Sequence, residues 1–112
     1  MPRDYRLALE DIIQHAALIV DALGNIDFTS FAKDRHKQAA IERYLEIIGE
    51  AVKNLPGDLK ARHKGDWRLA ASMRNILAHE YYAVVAKIIW DTATEDEPRL
   101  AMLAKRILDG SI

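Results

Sequence analysis

Residues 40–56 read AIERYLEIIGEAVKNLP. Apolar side chains return at Ile41, Leu45, Ile48, Val52 and Leu55, in steps of three and four, which keeps one stripe on a helix for about four turns. Pro56-Gly57 then ends the pattern, so a long amphipathic helix is expected from Asp34 to Leu55. Gly49 interrupts it with a residue that costs about 1 kcal/mol relative to alanine in a helix interior. A close helix–helix approach explains such a glycine, either within the subunit or across a dimer. Ile47 and Ala51 widen the apolar face beyond one stripe, and a twofold interface would bury that excess.

The same periodicity organises the rest of the chain. Leu9, Ile12, Ile13, Ala16, Ile19, Val20 and Leu23 predict a helix over residues 4–23, with Asp4 as its N-cap and Gly24 as its stop. NIDFTSFAKD, residues 25–34, reads as a loop, and DLKARHKG, residues 58–65, as a connection with room for a helical turn. Asp66 is placed to cap a third helix running through Trp67, Leu69, Ala70, Met73, Ile76 and Leu77. AVVAKIIW, residues 83–90, suggests a fourth helix. Pro98 suits the first turn of a last one, Arg99 to Leu108, stopped by Gly110. With no strand partner for the Val and Ile pairs, the expected fold is all-α, an antiparallel bundle of four or five helices forming a single domain over residues 1–112.

Composition narrows what such a bundle can do. Sixteen Lys and Arg against 17 Asp and Glu give a formal net charge of -1, so phosphate binding must come from a local cluster rather than a global basic field. The absence of cysteine removes disulfides, thiolate metal sites and thiol catalysis, and fits a reducing cytoplasm. The charged start MPRDYRLALED does not resemble a signal peptide, and no apolar run approaches the roughly 20 residues of a membrane span. A cytoplasmic chain with no membrane partner is expected.

The chemistry concentrates at residues 72–82, SMRNILAHEYY. The Arg74 guanidinium is always charged and forks onto phosphate oxygens, so it can hold a scissile phosphodiester and stabilise the extra charge of its transition state. The His79 imidazole can take a proton from a 2′-hydroxyl or hand one to a leaving oxygen near neutral pH. Asn75 adds a hydrogen bond to a phosphate oxygen or orients the ring. On an unbroken helix His79 points about 140° away from Arg74, while Tyr81 shares the Arg74 face. The helix must therefore end or kink near Ala78 to His79, or a second chain must complete the site. On its own, a histidine near a helix end is more often a cap or a packing residue.

Two basic groups, Lys33, Arg35, His36, Lys37 and then Lys60, Arg62, His63, Lys64, Arg68, are local sources of positive potential. The residues Lys60, Arg62, Lys64 and Arg68 are candidates for steering an RNA backbone through phosphate contacts. His15, His36 and His63 show no metal-ligand spacing, so no metal and no other cofactor is expected. Trp67 and Trp90 read as core or interface residues, and Tyr44 as packing or part of a dimer face. Glu42, Glu46 and Glu50 repeat every four residues, the pattern of a solvated face.

RNILAHEY matches the R-x4-H-x-Y signature of HEPN domains. With AIERYLEIIGEAVKNLP upstream, DWRLAASMRNILAHEYYAV around it and IIWDTATEDEPRLAMLAKRIL at the end, nearly the whole chain resembles the HepT-like branch, the toxin half of HepT/MntA toxin–antitoxin systems. The resemblance implies an all-α, metal-independent endoribonuclease of a type VII-like pair, with Arg74 and His79 catalytic. It also implies a homodimer whose two motifs face one cleft, and a cognate nucleotidyltransferase antitoxin that transfers AMP to Tyr81. A bulky anion beside Arg74 would occupy the phosphate site and repel RNA. The alternative is a non-catalytic adaptor bundle that binds a nucleotidyltransferase or a nucleotide with the same residues.

Overall fold

The computed structural model describes residues 5–63, 65, 67–78 and 82–110, and only the backbone of 77, 78 and 82–84. The expected caps Asp4 and Asp66 lie outside the described residues. Helix α1 spans Tyr5–Leu23, α2 Phe28–Lys33, α3 Arg35–Lys53, α4 Gly57–Arg62, α5 Leu69–Ala78, α6 Tyr82–Asp91 and α7 Glu97–Leu108, with a π-helical turn at Thr92–Asp96 joining the last two. Among the described residues there is no strand. The protein is an all-α helical bundle.

The two long helices form where the apolar stripes said they would. Leu9, Ile12 and Ile19 of α1 and Ile41, Leu45 and Ile48 of α3 are fully buried, each contributing about 1.5–3 kcal/mol of transfer free energy. Lys37, one turn into α3, donates from Nζ to the carbonyl of Ala22 at the end of α1 (2.6 Å), and mid-helix the His15 and Tyr44 rings lie 6.2 Å apart. The contacts move down one helix as they climb the other, so α1 and α3 are antiparallel. Asp34 caps α3 by accepting from the Lys37 amide (2.9 Å), and Gly24 leaves α1 with φ +54, which only glycine adopts without strain.

Gly49 sits where α3 meets α5. A Cβ built on it would lie 3.3 Å from Met73 Cγ, tighter than ordinary packing. The close approach anticipated for this glycine is thus found within the subunit.

Two expectations are corrected. NIDFTSFAKD is not a loop throughout, because it holds α2. The Asp27 carboxylate accepts from the Ser30 amide (2.9 Å), and Phe28 and Phe31 turn the same way onto Trp90, at ring separations of 5.8 and 5.3 Å. The last two helices are not separated by a break either. Pro98 carries no amide hydrogen and its ring crowds the preceding turn, and here the chain widens instead of stopping. The Glu97 amide reaches back five residues to the Thr92 carbonyl, and Thr94 Oγ1 donates to the Trp90 carbonyl (2.7 Å). The connection at 58–65 contains the short helix α4. Trp67 is half-buried and donates from Nε1 to the Lys60 carbonyl (3.3 Å), a packing role like that of Trp90.

Candidate active site

Helix α5 is amphipathic, and its register decides where the motif residues go. Leu69, Met73 and Ile76 are buried against α3, so Arg74 falls on the edge of the buried face and Asn75 on the outer side, both exposed. Beside Arg74 a groove of about 1050 Å³ opens between α1, α3 and α5. Ala8, Gly49, Ala51 and Met73 line it with apolar atoms, and Leu7 and Ile47 stand at its edge. Its charged residues are Asp11, Arg43, Glu46, Glu50, Lys53 and Arg74, three of each sign. Arg43 pairs with Glu46 at 3.5 Å. The Arg74 guanidinium makes no hydrogen bond or ion pair among the described residues.

A guanidinium beside an open groove, with no partner among the described residues, is chemically available. It keeps its full positive charge and its planar fork of donors for a phosphate or carboxylate that enters. The remaining motif residues cannot be placed next to it: α5 is described as far as Ala78 and α6 from Tyr82, and His79 and Tyr81 lie outside the described residues.

The other basic candidates lie elsewhere. Lys60 donates from Nζ to the Val52 carbonyl (3.3 Å), where a cation suits the last turn of α3. Arg62 is 4.0 Å from Asp58 and exposed. Arg68 approaches Asp96 at 3.4 Å, and the same carboxylate receives Ser72 Oγ (3.5 Å) and Arg99 (2.9 Å), which ties the start of α5 to the π-helical turn. None of these three lines the groove, and Lys64 lies outside the described residues. In the first basic group Lys37 is engaged with α1, and Arg35 lines a smaller cleft with Gln38, Glu42, Val85 and Ile89.

Two features escaped the sequence reading. The carboxylates Glu46 and Glu50, read as a solvated face, border the groove that Arg74 enters. Glu97 is buried, 1% exposed, and its Oε2 has no hydrogen-bond partner. Burial alone pushes that carboxyl up to about 7. The signal was present: Glu97 falls in the apolar register of Ala93, Leu100 and Ala104. Burial, followed by the nearby charge of Glu46, also raises Glu42.

Comparison with known proteins places this geometry in a family, since the family model "Ribonuclease HepT-like" matches residues 12–107. The chain belongs to the ribonuclease HepT-like family. A candidate RNase from Caldanaerobacter subterraneus subsp. tengcongensis is 43% identical over 108 residues, covering 96% of this chain and 94% of the relative. "Probable ribonuclease HepT" from Thermococcus cleftensis is 43% identical over 101 residues, covering 89% of this chain and 92% of that protein. A candidate RNase from Methanocaldococcus jannaschii is 39% identical over 100 residues, 88% of this chain and 83% of its own length. No solved structure matches the chain. For a HepT-like chain, the match spans both helices that build the groove's Arg74 wall, α3 and α5. Among the described residues no helix is long and apolar enough to cross a membrane, and no three His, Asp or Glu side chains gather as metal ligands.

Proposed function

We propose that this protein is a metal-independent endoribonuclease, the toxin half of a type VII-like toxin–antitoxin pair, acting as a cytoplasmic homodimer. Arg74 binds the scissile phosphate and stabilises the charge that builds on its oxygens, His79 transfers protons, and Asn75 adds a hydrogen bond or orients the imidazole. The single observation that carries this reading is the Arg74 guanidinium on a groove wall, without a partner among the described residues, in a HepT-like chain. Family relatives bearing ribonuclease names support the reaction class.

A homodimer brings a second copy of the motif to the cleft, which answers the angular separation of Arg74 and His79 on one helix. Tyr81 is the acceptor of AMP from a cognate nucleotidyltransferase antitoxin. The adduct sets a phosphate beside Arg74 and so blocks RNA. Lys60, Arg62, Lys64 and Arg68 are secondary candidates for steering the RNA backbone, with Lys60 and Arg68 already engaged by protein groups.

Purified protein incubated with RNA in chelator tests the reaction. Wild type should cut, and His79→Ala should be slower by about 10²-fold or more; equal cutting by both would remove His79 from the chemistry. Intact-mass measurement of protein made with and without the nucleotidyltransferase should show a gain of AMP units on Tyr81. An unmodified Tyr81 under both conditions contradicts the regulatory part.

A further inference from the structure

The charged residues of the groove differ in how far they are committed. Glu46 is held by Arg43 at 3.5 Å. The Glu50 side chain has neither an ion pair nor a hydrogen bond among the described residues, and the same is true of Arg74. These two residues are the immediate successors of Gly49 and Met73, a close contact between α3 and α5, with only 3.3 Å between a Cβ built on one and Cγ of the other. A carboxylate and a guanidinium thus share one groove on either side of a tight helix crossing, and they do not neutralise each other. Unpaired opposite charges in one small space present an acceptor and a donor fork to whatever enters.

Ribose with a 3′-phosphate carries the complementary pair on adjacent carbons, a hydroxyl that donates and an anion that accepts. We propose that Glu50 is a catalytic residue, the general base that receives the 2′-hydroxyl proton while Arg74 holds the neighbouring phosphate. This rests on the ribonuclease reading above. The 2′-oxygen gives its proton to the Glu50 carboxylate and forms a bond to phosphorus. The bond from phosphorus to the 5′-oxygen breaks, and that oxygen takes a proton from solvent. The products are a 2′,3′-cyclic phosphate end and a 5′-hydroxyl end, and Glu50 returns its proton to solvent. Asp11 also lines the groove, from α1, and Glu46 is already paired; Glu50 is chosen because it follows Gly49, which packs against Met73, the residue before Arg74.

The test uses an RNA oligonucleotide, with its all-2′-deoxy counterpart as the uncleavable control. Wild type, Glu50→Gln, Glu50→Asp, Arg74→Ala and Glu42→Gln are compared over a range of pH. Glu50→Gln should lower kcat by about 10²–10⁴-fold with little change in KM. It should also lose the acidic limb of the pH–rate profile, and Glu50→Asp should recover part of both. Glu42→Gln, on the same helix but outside the groove, should match wild type. Glu50→Gln with wild-type kcat, or with a reduced kcat and an unchanged acidic limb, overturns the base assignment while leaving the ribonuclease reading intact. Absence of cleavage by wild type overturns that reading, and this inference with it.

Discussion

Arg68, just before α5, and Arg74, within it, are six residues apart and meet opposite fates. Arg68 points toward the π-helical turn, where Asp96 also takes Ser72 and Arg99, so its charge is spent on joining two elements. Arg74 points into the α1–α3–α5 groove and meets no protein partner among the described residues. The difference teaches that an arginine's charge does not itself mark a site. A guanidinium is free for a ligand only where the fold withholds its carboxylate, and here three carboxylates border the groove without closing on Arg74.

The two sides can be broken separately. The largest effect is expected on the closed side, at Glu97, adjacent in sequence to Asp96. Its folded pKa is raised to about 7 from 4.5 by burial, so the folded state holds the proton more tightly than the unfolded chain. Stability is then complete below about pH 4.5 and is lost as pH rises through about 7, by about 3 kcal/mol in total. Glu97→Gln cannot ionise. Urea denaturation should therefore find this variant gaining about 3 kcal/mol over wild type between about pH 4.5 and 8, and a pH-independent difference contradicts the buried ionisation.

The open side is probed at Gly49. Gly49→Leu forces volume into the α3–α5 crossing and should cost about 1–3 kcal/mol in chemical denaturation. Gly49→Ala should change stability by less than about 1 kcal/mol, because Met73 is flexible and alanine favours the helix. A leucine accepted without loss would mean that the crossing is looser than described.

The smallest effect is expected at the clamp itself. Asp96→Asn leaves Arg68 and Arg99 without their carboxylate, yet both arginines are more than half exposed, and such pairs contribute about 0–1 kcal/mol. A thermal midpoint lowered by no more than a few degrees is expected, and a collapse of the fold would show that the clamp is structural to a degree its exposure does not suggest.

Much of this was legible in the sequence. The stripes of α1 and α3 gave both helices to within two residues, because an apolar period depends only on local spacing. Helix α2 was not, since six residues hold too little periodicity and its phenylalanines acquire meaning only against Trp90, far along the chain. Pro98 pointed to a helix start but not to the widened turn that lets α6 run on into α7. The spacing of Arg74 and His79 suggested the chemistry proposed above, with Arg74 beside the groove and His79 outside the described residues. That Arg74 has no partner among the described residues, that Glu50 borders its groove and that Glu97 is buried are consequences of how α1, α3, α5 and α7 pack.

The central claim is that an uncommitted Arg74 guanidinium holds the scissile phosphate of RNA. Metal-free cleavage rates of wild type and Arg74→Ala test it directly, with thermal melting as the folding control. Loss of a transition-state donor predicts a fall of about 10²–10³ in kcat with an unchanged melting midpoint. Cleavage by Arg74→Ala at the wild-type rate would contradict the account.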